Sequence, residues 1–235
     1  MTLAVVISCE HGGNRIPAAY RPLFRRHRAA LESHRGFDPG ALALARDFAK
    51  ALNAELVYST TSRLLVELNR SRHHPRLFSE VSRDLPGDER QRVLERYYEP
   101  YRSWVDEQVR QATSGGGSIV HLSCHSFTPR LHGVERRTDV GLLYDPGRSG
   151  ELRLCLAWQR ALSAAAPKLK VRRNYPYRGY NDGVTTSLRR RYGDALYAGV
   201  ELEVNQKHPL GDAAGWRALR TTLVTAFIQA LCPSC

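Results

Sequence analysis

Lysine is nearly absent: Lys50, Lys168, Lys170 and Lys207 are the only four in 235 residues. Cysteine is sparse too. The five present (Cys9, Cys124, Cys155, Cys232, Cys235) are an odd set that gives no disulfide framework and suits a reducing compartment. The lone Cys232-Pro-Ser-Cys235 spacing has no second pair to complete a metal site and reads as a frayed tail. No apolar run approaches the ~18 residues that a bilayer span needs, which excludes a membrane-spanning helix. The first residues carry no basic segment, and Cys9-Glu10-His11 breaks the apolar run where a signal peptide would continue, so a cytoplasmic protein is expected. Repeats, low-complexity tracts and linkers are also missing. The expectation is a single domain over residues 1–235, long enough for a sizeable core and too short for two ordinary domains with a linker.

What the chain does have is arginine. Lys and Arg total 35 against 23 Asp and Glu, a formal net charge of +12. Such a balance suits a nucleic-acid partner, an acidic membrane surface or a pocket for small anions. The charge is spread over Arg25-Arg26, Arg136-Arg137, Arg172-Arg173 and Arg189-Arg190-Arg191, with no single basic tail. A solvated surface accounts for that scatter without any partner. Interleaved aromatic and basic residues are lacking, and no nucleic-acid-binding motif is recognisable, so a non-catalytic nucleic-acid binder is the weakest functional reading.

Short apolar runs alternate with helical patterns, which predicts an α/β fold: a mixed, largely parallel sheet sandwiched by helices. Strands are expected at residues 3–9, 55–59, 64–68, 119–124, 140–143, 169–172 and 198–204. Ala41, Leu44, Ala45, Phe48 and Leu52 fall on one face of a helix over 39–53. Residues 88–113 give the longest helical pattern, with Leu94, Tyr97, Tyr101, Trp104 and Val105 as its stripe and Pro100 expected to kink or divide it. Residues 150–166, 184–191 and 213–231 complete the helices.

Residues that carry chemistry collect at strand ends, where open α/β sheets bind ligands. The first strand runs into Glu10-His11-Gly12-Gly13-Asn14, whose histidine is placed as a metal ligand or general base, with glycines for a tight turn. The strand 119–124 closes on His125-Ser126-Phe127-Thr128-Pro129, while His121 reads as a satisfied core histidine. Asp38-Pro39 matches a helix N-cap with proline at N1, and the second carboxylate oxygen remains for a metal. Glu201 and Glu203 share one face of their strand, so at least one needs a partner or a function. Two histidines and an aspartate make a three-ligand zinc set with one position open, and a neighbouring glutamate can then take a proton from water attacking a carbonyl.

The order and spacing of several blocks resemble the N-formylglutamate amidohydrolase family. These are residues 8–17 (Ser-Cys-Glu-His-Gly-Gly-Asn-Arg-Ile-Pro), 38–41, 62–71 (Ser-Arg-Leu-Leu-Val-Glu-Leu-Asn-Arg-Ser), 125–129 and 199–206. The resemblance implies a zinc-exopeptidase-like (phosphorylase/hydrolase-like) fold, similar to zinc-dependent carboxypeptidases and aspartoacylases. It makes His11 and His125 the zinc histidines. The carboxylate ligand expected three residues after the first histidine is replaced by Asn14 here, a departure. Asp38 takes its place if residues 15–37 are an insertion, with Asn14 and Glu10 as alternatives. Glu203, in Glu-Val-Asn, resembles the general base, and Glu201 is the runner-up. Glu67-Leu68-Asn69-Arg70 is similar to the aspartoacylase block whose Asn-Arg pair holds a substrate carboxylate, for which arginine's planar fork is suited. Arg63, and Arg178 in a flexible polar loop over 178–183, are further substrate-binding candidates.

The implied activity is zinc-dependent hydrolysis of an N-acylated acidic amino acid, N-formyl-L-glutamate giving formate and L-glutamate. The implied partner is that small anionic substrate, with no membrane or nucleic acid. The rival within the same chemistry is a metallo-amidohydrolase or carboxypeptidase acting on another N-acyl amino acid or a peptide.

Overall fold

In the computed structural model, which describes residues 3–232, the apolar runs at 3–9 and 118–127 lie side by side near the middle of a six-stranded sheet. In chain order the strands are β1 (Leu3–Cys9), β2 (Glu55–Tyr58), β3 (Ser118–Phe127), β4 (Arg130–Leu131), β5 (Val134–Glu135), β6 (Val140–Leu143), β7 (Val171–Arg173) and β8 (Tyr197–Asn205). The α-helices are α1 (Arg28–Leu31), α2 (Ala41–Leu52), α3 (Gly87–Val93), α4 (Glu99–Thr113), α5 (Ser149–Ala165), α6 (Val184–Arg189) and α7 (Ala213–Leu231). Sheet order is β2-β1-β3-β8-β6-β7. The first four strands are mutually parallel, β6 runs antiparallel to β8, and β7 runs parallel to β6. Strands β4 and β5 form a separate small hairpin. The fold is therefore α/β with a mixed, largely parallel sheet, as the alternating pattern predicts.

Because strand side chains alternate, each central strand serves two layers. On one face Ile7, Cys9, Val120, Leu122, Cys124, Val200, Leu202 and Val204 pack against α2, α5 and α7. Phe48 from α2, Trp158 from α5 and Phe227 from α7 meet there, with Phe48 and Phe227 edge to face at 5.5 Å. The other face is polar near the strand ends: Ser8, His121, Ser123, His125, Glu201 and Glu203 all project that way and are buried. Farther back on this face Val6, Ile119 and Tyr197 join Tyr101, Val105 and Val109 of α4 in a second core. Among the described residues no helix is long and apolar enough to cross a membrane.

Three expectations need correction: the strand at 64–68, the place of Trp104 in its stripe, and the end of β3. Residues 64–68 form turns, not a strand; Leu64, Leu65, Val66 and Leu68 are apolar because they fill the second core, and they pair with no neighbouring strand. The long pattern at 88–113 is α3, a wider π-helical turn at Leu94–Tyr98, then α4 with Pro100 in its first turn. The Glu99 amide reaches back to the Leu94 carbonyl there, so the missing amide of Pro100 falls where the ladder already changes register. Within that stripe Trp104 is 46% exposed and lies off the buried face. Strand β3 extends through Phe127, which places His125 inside the strand instead of beyond its end. The frayed-tail expectation for Cys232-Pro-Ser-Cys235 falls mostly on residues outside those described.

Candidate metal centre and substrate pocket

Strand register brings the chemistry together. β1 has β2 on one side and β3 on the other, so a crevice opens beyond the carboxyl ends of β1 and β3. His11 follows β1 directly, and His125 stands level with Glu203 across the β3–β8 pair. Asp38 is delivered by its backbone, whose amide donates to the His11 carbonyl at 2.9 Å.

Gly12 and Gly13 are needed for close approach rather than for a turn. Neither has a positive φ, and a Cβ on either would lie 2.9 Å from a carbonyl oxygen, of Ser59 or of Thr60. The expected cap is also different. Helix α2 starts at Ala41 with Gly40, at φ 81°, in the N-cap position, and no side chain caps it. Neither carboxylate oxygen of Asp38 is therefore spent on capping α2.

Asp38 Oδ2 lies 3.1 Å from His11 Nδ1 and 2.9 Å from His125 Nδ1. Donor atoms of His11, Asp38 and His125 all fall within 4.8 Å of one another, and all three residues are buried. The outward nitrogens have their own partners. His11 Nε2 meets Glu67 Oε1, while His125 Nε2 is 2.9 Å from Ser123 Oγ and 3.1 Å from Glu10 Oε2. With a cation in the common space, the carboxylate on each Nε2 would hold the ring proton there and free each Nδ1 to ligate, as histidines that ligate metals require.

Burial alone would raise the carboxyls of Asp38, Glu67 and Glu10, but their neighbours hold all three well below the usual range. His11, His125 and Arg63 act on Asp38; Arg63, His11 and the Asn69 amide act on Glu67; His125 and Ser123 act on Glu10. Burial likewise opposes charge on His11 and His125, yet the surrounding carboxylates raise both. Glu203 behaves otherwise: burial, with Asp38 and Glu201 adding to it, pushes its carboxyl up to about 8 against the pull of His125. Its Oε2 is buried without a hydrogen-bond partner, whereas Glu201 Oε1 accepts from Thr185 Oγ1 at 2.6 Å. His121 sits between Ser8 Oγ and Tyr197 OH, each at 2.8 Å, and burial lowers it to about 4, in keeping with a core histidine.

His11, Asp38, His125, Glu201 and Glu203 line a polar cavity of about 320 Å³, open to solvent, whose walls also carry Asn69, Arg70, Arg76, Arg178 and His34. Asn69 Oδ1 accepts from the Val184 amide at 2.8 Å, and its NH₂ stands 3.4 Å from His125 Nε2. Arg70 donates to the Asp182 carbonyl, and Asp182 Oδ2 accepts from the Ser71 amide at 2.9 Å, so the loop read as flexible is fastened to the Asn69-Arg70 segment. Arg63 departs from the expected clamp. Its Nε donates to Glu67 at 2.8 Å and its Nη1 to Asp38 at 3.3 Å, which commits the guanidinium fork to the protein's own carboxylates. Asn14 donates to the Leu31 carbonyl at 3.1 Å and is not among the residues that line the cavity. Sequence reasoning passed over Arg76 and His34, which lie in irregular segments without a motif. It also assigned nothing to Glu67, although the block containing it was noticed. A larger cavity of about 570 Å³ lies at the opposite ends of the strands, around Ile119, Leu154, Ala157 and Ala198, away from this cluster.

Comparison with known proteins follows the same direction. Residues 3–208 match the family model described as N-formylglutamate amidohydrolase. The solved gene product Atu2144 from Agrobacterium tumefaciens is similar at 31% identity and a TM-score of 0.82, covering 97% of this chain and 90% of that one. An N-formylglutamate amidohydrolase from Ralstonia eutropha JMP134 has a similar fold, with a TM-score of 0.71 at 22% identity over 97% and 93% of the two chains. No curated protein sequence matches the chain.

Proposed function

The chain belongs to the N-formylglutamate amidohydrolase family, and from that premise we propose that it is a metal-dependent hydrolase of N-acylated acidic amino acids, N-formyl-L-glutamate foremost. The observation that carries this reading is the buried set of His11, Asp38 and His125 donor atoms within 4.8 Å of one another. Charge supports a dication at that point. Asp38, Glu10 and Glu67 surround the two histidines, and among the described residues Arg63 is the only arginine or lysine at ion-pair distance from them, so three carboxylates around neutral imidazole ligands leave two negative charges in excess. The donor set of two imidazoles and one carboxylate suits zinc and leaves a coordination position open. Held by His11, Asp38 and His125, such an ion would supply Lewis acidity for the acyl carbonyl and for water near neutral pH.

The remaining work falls to the chain's own side chains. Glu203, with its unpartnered Oε2, accepts a proton from the attacking water as oxygen bonds to the acyl carbon. It then returns that proton to the amide nitrogen as the C–N bond breaks, releasing the acid and the free amine. A neighbouring dication favours the ionised form that this role needs. Arg70, Arg76 and Arg178, with the Asn69 amide, hold the carboxylates of the substrate, and Arg63 holds the ligands. Glu201 already accepts from Thr185, which favours Glu203 as the base.

The test is a panel of N-acyl amino acids assayed for amine release, before and after metal removal. N-formyl-L-glutamate should turn over fastest, chelation should abolish turnover, and zinc should restore it. A faster N-acetyl or neutral substrate would reassign the specificity. Full activity after exhaustive chelation would end the metal-dependent reading.

A further inference from the structure

Glu10 has no part in the reaction just described, yet it is fully buried, and His125 is its only ion-pair partner among the described residues. Its Oε1 accepts from Tyr101 OH at 2.7 Å, and its Oε2 accepts from Ser123 Oγ at 2.6 Å while standing 3.1 Å from His125 Nε2. The placement follows from register. Ser8 pairs with Ser123 in the parallel β1–β3 ladder, and two residues further along the chain Glu10, just past the end of β1, stands beside His125 of β3.

The two outer carboxylates are not equivalent. Glu67, behind His11, is paired with Arg63, so its charge is already compensated within the protein. Glu10, behind His125, has no lysine or arginine at ion-pair distance among the described residues. Once His125 is neutral, as a metal ligand is, Glu10 is a dry carboxylate without a counter-charge, which is costly. Cation binding at the adjacent imidazole relieves that cost. Hydrogen bonds from Tyr101 and Ser123 fix the carboxylate and keep it from turning into the pocket as a ligand itself.

We propose that Glu10 is a positioning residue for the metal: it holds the proton of His125 on Nε2, aims Nδ1 at the site, and supplies the uncompensated charge that draws a divalent cation. This rests on the metal-dependent reading above. Glu10→Gln keeps the shape and the acceptor for Ser123 while removing the charge. Zinc affinity of the purified full chain, measured by competition with a chromophoric chelator, should fall about 10- to 100-fold. The cobalt(II)-substituted variant should show a shifted visible absorption band, a signature that simple loss of stability would leave unmoved. Tyr101→Phe removes one hydrogen bond to Glu10 at a distance from the imidazole and should weaken zinc in the same direction by a smaller factor; it answers the question if the glutamine variant fails to fold. Tight zinc binding by the native chain, with either folded variant matching it and keeping an unchanged cobalt spectrum, would overturn the role of Glu10 and leave the proposed function standing. A native chain with no zinc affinity would overturn both.

Discussion

His125 and Glu203 occupy the same level of adjacent parallel strands, so one strand pair presents both a candidate ligand and a buried carboxyl with a free oxygen. Glu203→Gln preserves volume and removes the proton acceptor. The expected outcome is a drop in kcat of about 10² to 10⁴, the usual worth of a positioned acid–base group, with KM little changed. Metal content measured by elemental analysis should stay at the native level. Loss of metal along with rate would make Glu203 a ligand instead of a proton carrier.

The ligand set and the substrate clamp separate by a second pair of changes. His125→Ala removes one of three clustered donors, and the purified variant should retain no stoichiometric zinc and no turnover. Arg70→Ala touches neither histidine nor Asp38, and it should keep the metal. Losing a charged contact worth ~2 kcal/mol or more should raise KM roughly 30-fold. Steady-state kinetics on metal-replete protein decides the matter; an unchanged KM would shift the clamp to Arg76 and Arg178.

How much of this was legible beforehand depended on whether a residue's neighbours are near in sequence. The bounds of β1 and α7 matched closely, because an unbroken apolar run and a helical stripe are local signals. Residues 64–68 look like a strand by composition, yet their burial comes from the second core, which no local pattern reveals. The end of β3 was placed too early for a related reason. A strand buried on both faces carries His125 and Ser126 as buried polar residues, so polarity did not mark its end. Asp38 was recognised, but the Asp-Pro-Gly pattern suggested capping, and Gly40 with its left-handed backbone occupies that position. The partnerships of Glu67 with His11 and of Glu10 with His125 join segments 56 and 115 residues apart, beyond the reach of spacing.

Removing the metal should expose the unusual titration of Glu203. Its carboxyl is raised to about 8 by burial, against an ordinary value of 4.5. Between those values the folded chain keeps a proton that the unfolded chain releases, so the metal-free fold loses stability as pH rises through this window. The raised histidines His11 and His125 act in the same sense, since their contribution is complete below their ordinary value and is lost as pH rises through the folded one. Asp38, Glu67 and Glu10 are depressed, so their contribution is present above the ordinary carboxylate range and is lost only in acid. Glu203→Gln isolates the first effect. Denaturant midpoints of the metal-free proteins, compared from about pH 5 to about pH 9, should fall more steeply for the native chain than for the variant. Parallel slopes would mean that Glu203 titrates as an ordinary carboxyl.

Gly12→Ala and Phe227→Ala should both destabilise the protein while separating the core from the site. Phe227 is fully buried between Phe48 and Trp158 on the helical face opposite the polar cluster. Its truncation should cost about 3–5 kcal/mol of unfolding free energy through lost burial and a residual cavity. No metal donor touches that layer, so zinc affinity of the folded fraction should be native. A Cβ on Gly12 would meet the Ser59 carbonyl at 2.9 Å, and relief requires the backbone next to His11 to move. That overpacking should cost about 1–3 kcal/mol, less than the core truncation. Zinc affinity should nevertheless fall with it, because His11 Nδ1 is displaced from Asp38 and His125. Chemical unfolding and chelator competition on the two variants give the comparison. If zinc affinity instead followed stability loss in both, the site would owe its geometry to the global fold and not to the close approach of the glycine segment and residues 59–60.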